Sequence, residues 1–125
     1  MAKIISFSIP QEDSLLLNSL QKELRLQGRS ELIRAALNSL KQETDEQKKL
    51  SGTVHAVLTV SHNHDDNITS LVHHHGTIVH THLHHHIRKE CLDLFLIEGK
   101  ANQIRDLLAK IRQSKKIIKV KLATL

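Results

Sequence analysis

The 125 residues predict an α+β chain in two parts, a βαα unit over residues 1–48 and a βαββαβ unit over residues 49–125. Three observations predict it. Apolar residues alternate with a period of two in some segments and recur every three or four residues in others, the signatures of strand and helix. A polar stretch rich in Lys, Gln, Glu, Thr and Asp, from Lys41 to Lys49, separates the two parts as the solvated end of a helix and a linker. The third is a crowd of histidines, ten of the eleven lying between His62 and His86, with the only cysteine, Cys91, five residues later.

The first part opens with a strand from Lys3 to Ile9, with Ile5, Phe7 and Ile9 on one face and Ile4, Ser6 and Ser8 on the other. Pro10 ends it. A helix runs from about Gln11 to Leu26 on the spacing of Leu16, Leu17, Leu20 and Leu24, and Gly28 is placed to stop it in a left-handed cap. Ser30 reads as the N-cap of a second helix, with Glu31 in its first turn and Leu32, Ile33, Ala36, Leu37 and Leu40 as its apolar stripe. The second part starts at Gly52, with a strand over 53–61, a helix from Asp65 to His75 ended by Gly76, and a strand over 77–87. Arg88 and Lys89 make a tight turn into a strand over 91–97, then come a helix over 101–112 and a strand over 117–122. This order is the ferredoxin-like one, also used by small ligand-binding domains of the ACT type.

A part this small buries too little surface to be comfortable alone, so oligomerisation or metal must help. Aromatic residues make up only 2%, so the core is aliphatic, and nucleic-acid binding by base stacking drops out. A formal charge of +5 is compatible with a nucleic-acid partner and equally with none. With one cysteine, no leader at the start and no apolar run approaching the ~18 residues of a membrane span, the sequence predicts a reduced, cytoplasmic protein with no membrane partner. Cys91 is then available as a thiolate.

Imidazole nitrogen and thiolate sulfur together suit nickel, copper, zinc or cobalt, and suit magnesium or calcium poorly. On the strand from Thr77, Val79, Leu83 and Ile87 are apolar and His80, His82, His84 and His86 alternate with them, so burial of the apolar face presents a ladder of four rings on the other. A tight hairpin sets Cys91 opposite His86. His73 or His75, at a helix end, would have to come from another subunit. His62, His64, His74, His80 and His85 are left over for a second, weaker site or a transfer path, and Asp93 for the surface or for orienting a ligand ring. His55 reads as an ordinary strand residue, and the lysines at 115, 116, 119 and 121 as a solvated face.

Through Ser6-Phe-Ser-Ile9 and Gly28-Arg-Ser-Glu-Leu-Ile-Arg34, the first part resembles the ribbon-helix-helix (MetJ/Arc/CopG-like) DNA-binding domains. The resemblance implies that two chains pair their strands into a ribbon that enters the major groove. Ile4, Ser6 and Ser8 would then read bases, while the free backbone amides of Ser30 and Glu31 at the helix start hold a phosphate, with Arg29 and Ser30 among the DNA-binding residues. Nearly the whole chain resembles the nickel-responsive repressor family usually called NikR. Its fingerprint is a histidine at the end of the first ACT helix, a His-x-His pair on the next strand, and a cysteine followed by Leu and an acidic residue. His73, the His82 to His86 run and Cys91-Leu-Asp93 match it. The resemblance implies a square-planar nickel site across a subunit interface, with ligands among His73, His82, His84, His86 and Cys91, in a homotetramer made as a dimer of dimers.

Two departures from the family are legible. His86 to Cys91 leaves four residues between and His84 to Cys91 leaves six, where the family keeps five, so either His82-x-His84 or His84-x-His86 supplies the pair. The family's hydrogen-bonding residue at the first reader position is Ile4, and its basic pair early in the ACT helix is replaced by Asp65, Asp66 and Asn67. The expectation is a metal-dependent repressor bound to a double-stranded DNA operator, with nickel as cofactor and copper, cobalt or zinc as alternatives. Metal bridging subunits would select, from many orientations of the ribbons, the one that fits two half-sites. The rivals are a metal storage or delivery protein, a metallohydrolase and an amino-acid-sensing ACT regulator. The hydrolase lacks a spaced general base, the amino-acid sensor leaves the histidines unexplained, and no enzyme is expected.

Overall fold

A computed structural model of the chain describes residues 1–64 and 66–125, apart from the Asp66 side chain. Asp65, where the sequence starts a helix, lies outside the described residues. The chain divides into two compact units, Met1–Lys48 and Lys49–Leu125.

The first unit holds helices α1 (Gln11–Glu23) and α2 (Arg29–Lys48). Pro10 starts α1, its carbonyl accepting the Ser14 N–H at 3.1 Å, and Glu12 and Asp13 sit favourably in the first turn. The helix stops short of Leu26 because Arg25, not Gly28, takes the left-handed conformation, at φ 55°. The amides of Arg25 and Leu26 then return to the carbonyls of Lys22 and Gln21, which satisfies the helix end. Ser30 is likewise not the cap of α2. The helix begins at Arg29, and Glu31 reaches back to accept the Gln27 N–H at 3.1 Å. Residues 1–10 form neither helix nor strand, and Ile4 is 99% and Phe7 63% exposed. The strand expected at 3–9 therefore does not form within one chain, since a strand needs a ladder partner to hydrogen-bond with.

The second unit is βαββαβ: β1 (Thr53–His62), α3 (Asp66–His74), β2 (Val79–Ile87), β3 (Glu90–Lys100), α4 (Ala101–Arg112) and β4 (Ile117–Thr124). The strands form one antiparallel sheet in the order β2-β3-β1-β4. Val54, Ala56, Leu58 and Val60 of β1 and Phe95 and Ile97 of β3 face α3 and α4, and meet Ile68, Val72, Ile104, Leu107, Leu108 and Ile111 there. Gly99 lets β3 pass close to the chain before β2, for a Cβ on it would sit 2.7 Å from Ile78 Cγ2. No described helix is long and apolar enough to cross a membrane.

The ladder on β2 differs from expectation. Val79 pairs with Ile97 and packs on the core, but the register shifts between Val79 and Thr81, so His80 falls on a bulge. Beyond it the phase is reversed. His82, His84 and His86 lie on the helix-covered face, and Leu83 and Ile87, expected to be buried, are 61% and 47% exposed on the open face. His80 leaves the ladder and approaches Glu98, 3.2 Å away.

Leu107→Ala empties a fully buried site beneath the sheet, and its cost is expected at about 2–5 kcal/mol. Guanidinium unfolding of the chelator-treated protein measures it, and a loss below about 1 kcal/mol would contradict this packing.

Candidate metal centre

The β2–β3 hairpin builds the site. Arg88, at φ 56°, makes a two-residue turn with Lys89, and the turn sets His86 opposite Cys91, His84 opposite Asp93 and His82 opposite Phe95. On the other side of β3, β1 brings His62 opposite Cys91. Residues Cys91, Asp93 and Phe95 share one face by strand alternation, so imidazoles from two strands converge on two β3 side chains.

The first group surrounds the thiol. His86 Nδ1 lies 3.3 Å and His64 Nδ1 3.5 Å from Cys91 Sγ, and the three donor atoms lie within 4.8 Å of one another. His64 sits just after β1 at φ 39°, a left-handed conformation uncommon for a residue with a side chain. The His64 and His86 rings meet edge to face, 6.2 Å between centroids. A thiolate with two imidazoles is a soft to borderline donor set, right for nickel, copper, zinc or cobalt and wrong for magnesium.

The second group surrounds Asp93, which is 1% exposed. His62 Nε2 donates to Oδ2 at 2.5 Å, while His82 Nε2 and His84 Nδ1 donate to Oδ1 at 2.5 and 2.8 Å. His82 is held in place by stacking on Phe95, 4.4 Å between centroids. Burial pushes the Asp93 carboxyl up, and the hydrogen bonds from His82, His62 and His84 outweigh it, holding the group below the ordinary aspartate value. The carboxylate is therefore anionic at neutral pH.

Of the five ligand candidates, the structure brings His86 together with Cys91, gathers His82 and His84 at Asp93 instead, and leaves His73 exposed on the last turn of α3. His75 is turned away, its Nδ1 donating to the Leu71 carbonyl at 3.0 Å and its Nε2 3.4 Å from Asp106. Sequence spacing alone leaves His64, His62 and Asp93 among the spare residues. The signal for two of them is present: His62 continues the buried alternation of Val54, Ala56, Leu58 and Val60, and Asp93 lies two residues from Cys91 on the same face.

A ferredoxin-like sheet with histidine and cysteine donors on one face defines a small transition-metal-binding domain. Residues 51–125 match the family described as the NikR C terminal nickel binding domain, and the chain belongs to that family. Its members are nickel-responsive regulators rather than enzymes, and nickel is the cofactor. A Haloarcula marismortui protein named "Putative nickel-responsive regulator" is 28% identical over 94% of this chain and 88% of its own. A Dictyoglomus turgidum protein of the same name is 27% identical over 92% of this chain and 90% of its own. Among solved structures, an uncharacterised protein of Thermotoga maritima shares the fold, with a TM-score of 0.55 at 15% identity over 59% of this chain and 99% of that one.

Removal of a ring at the thiol and of its neighbour on the opposite face should separate cleanly. His86→Ala is expected to weaken nickel binding by more than about tenfold, while His85→Ala, which faces the open side opposite Leu92, leaves it within about twofold. Equilibrium competition with a chelating dye measures both, and equal losses would contradict this register.

Proposed function

We propose that the chain is a nickel-dependent DNA-binding repressor in which Cys91, His86 and His64 hold the ion, joined by His73 from a neighbouring subunit. The observation that carries this reading is the thiol and two imidazoles gathered on one sheet face in a chain of the nickel-binding family. His73 is exposed at the C-terminal end of α3 and makes no part of the Cys91 group within the chain. The open sheet face, with Leu83, Ile87 and Leu96 exposed, supports association of copies into a tetramer.

The first unit fits the DNA-binding role. Its exposed Ile5, Phe7 and Ile9 want a partner, and a second copy pairing antiparallel would bury them and turn Ile4, Ser6 and Ser8 outward as base readers. Arg29 and Ser30 lie exposed at the start of α2, where free amides and the helix dipole favour a phosphate. The Arg29 guanidinium is held by Asn18, whose Oδ1 accepts its Nη2–H at 3.3 Å. Nickel acts by binding the DNA-competent arrangement more tightly than the others. The protein works in the cytoplasm, where Cys91 stays reduced.

Electrophoretic mobility shift with the chain's own promoter fragment tests this. Nickel is expected to raise DNA affinity by about tenfold or more, with reversal by EDTA, a coupling of the usual size for allosteric ligands. Affinity indifferent to nickel would overturn the reading. Arg29→Ala is expected to weaken binding to all sequences alike and to make the slope of log affinity against log salt shallower by about one, measured by titration at several salt concentrations.

A further inference from the structure

Three imidazoles on one buried carboxylate are more than the thiol centre uses. Asp93 and His62 are 1% and 2% exposed, and His82 and His84 approach the same carboxylate from β2. The donor atoms of His82, His84 and Asp93 lie within 4.8 Å of one another, as close a grouping as the one at Cys91. No residue is shared between the two groups, because they occupy alternate register pairs of the same hairpin.

We propose that Asp93, His82 and His84 form a second metal centre within one chain, which takes a divalent first-row ion beside the Cys91 centre, while His62 holds the other carboxylate oxygen from behind. Its donors are two nitrogens and one carboxylate oxygen without sulfur, a set that suits zinc, cobalt or nickel and has no preference for a soft ion. Around a four-coordinate ion with ~2.1 Å bonds the donor atoms sit roughly 3.4 Å apart. An ion at Asp93 Oδ1 therefore opens the 2.5 and 2.8 Å contacts of His82 and His84 by less than about 1 Å, which these side chains, on the edge strand β2, can absorb. Asp93, fixed in the interior by the His62 hydrogen bond to Oδ2, supplies the rigid part.

This centre differs from the nickel site in kind. It needs no neighbouring subunit, so it fills in the isolated chain, and it loads without a thiolate. Same-face neighbours on a strand lie about 7 Å apart, which places the two ions side by side on β3.

The test is metal content of the full-length chain, stripped with EDTA, loaded with excess nickel(II) or, separately, zinc(II), and freed of loose ions by gel filtration. Two retained ions per chain are expected. Asp93→Asn should retain one and keep the near-ultraviolet absorption of a nickel thiolate, while Cys91→Ser should retain one and lose that absorption. His82→Gln, on a partly exposed side chain, repeats the Asp93 result should Asp93→Asn fail to fold by circular dichroism. One ion in the wild type, or an unchanged count in Asp93→Asn and His82→Gln, overturns the proposal and leaves Asp93 as a hydrogen-bond acceptor that only orients rings. Two ions with no thiolate absorption would strike the nickel reading of Cys91 and leave the second centre standing.

Discussion

The register of β2 against β3 is the constraint on which the site depends. Side chains alternate faces along a strand, so a slip of one residue would send His82, His84 and His86 to the open face and put Leu83 and Ile87 against the helices. Two local features fix it. The Arg88–Lys89 turn pins one end, and the bulge at His80 resets the other, so that Val79 can still pack on the core. The run of histidines is thus read out by backbone geometry, and His85, in the middle of the run, is excluded from both groups.

The same register determines the electrostatics. An unpaired carboxylate at the depth of Asp93 would cost several kcal/mol, and it persists because three imidazole N–H groups meet it, each such charge-assisted bond contributing about 1.5–3 kcal/mol. Phe95 stacks under His82, and His62 and Asp93 are themselves buried, so the His62–Asp93 bond is shielded from water while His82 and His84 reach the carboxylate from the rim. Cys91 lies in the same buried row, which keeps the thiol from bulk solvent while leaving His64 and His86 at the rim. Donors of different softness are thereby separated by one register step.

Much of the second unit is legible in the sequence because its periods are clean. Val54, Ala56, Leu58 and Val60 mark β1, and Ile104, Leu107, Leu108 and Ile111 mark the buried stripe of α4. What periodicity misjudges is the face of β2: Leu83 and Ile87 read as buried because apolar residues usually are, and a bulge leaves no sequence mark when the bulged residue is another histidine. In the first unit the strand at 3–9 has no partner inside the chain, and the left-handed residue just after the α1 cap at Leu24 is Arg25, which carries no left-handed preference. His64 is illegible as a partner of Cys91 because its approach depends on the turn after β1, not on a spacing.

The nickel K-edge X-ray absorption spectrum of the full-length chain, saturated with nickel so that every site is filled, tests the register most directly. One sulfur scatterer is expected at roughly 2.3 Å, the metal–thiolate distance familiar from zinc, together with imidazole nitrogens, and the sulfur should vanish in Cys91→Ser. A shell of nitrogen and oxygen alone in the wild-type protein would contradict it, because the hairpin would then not bring Cys91 and His86 to the same ion.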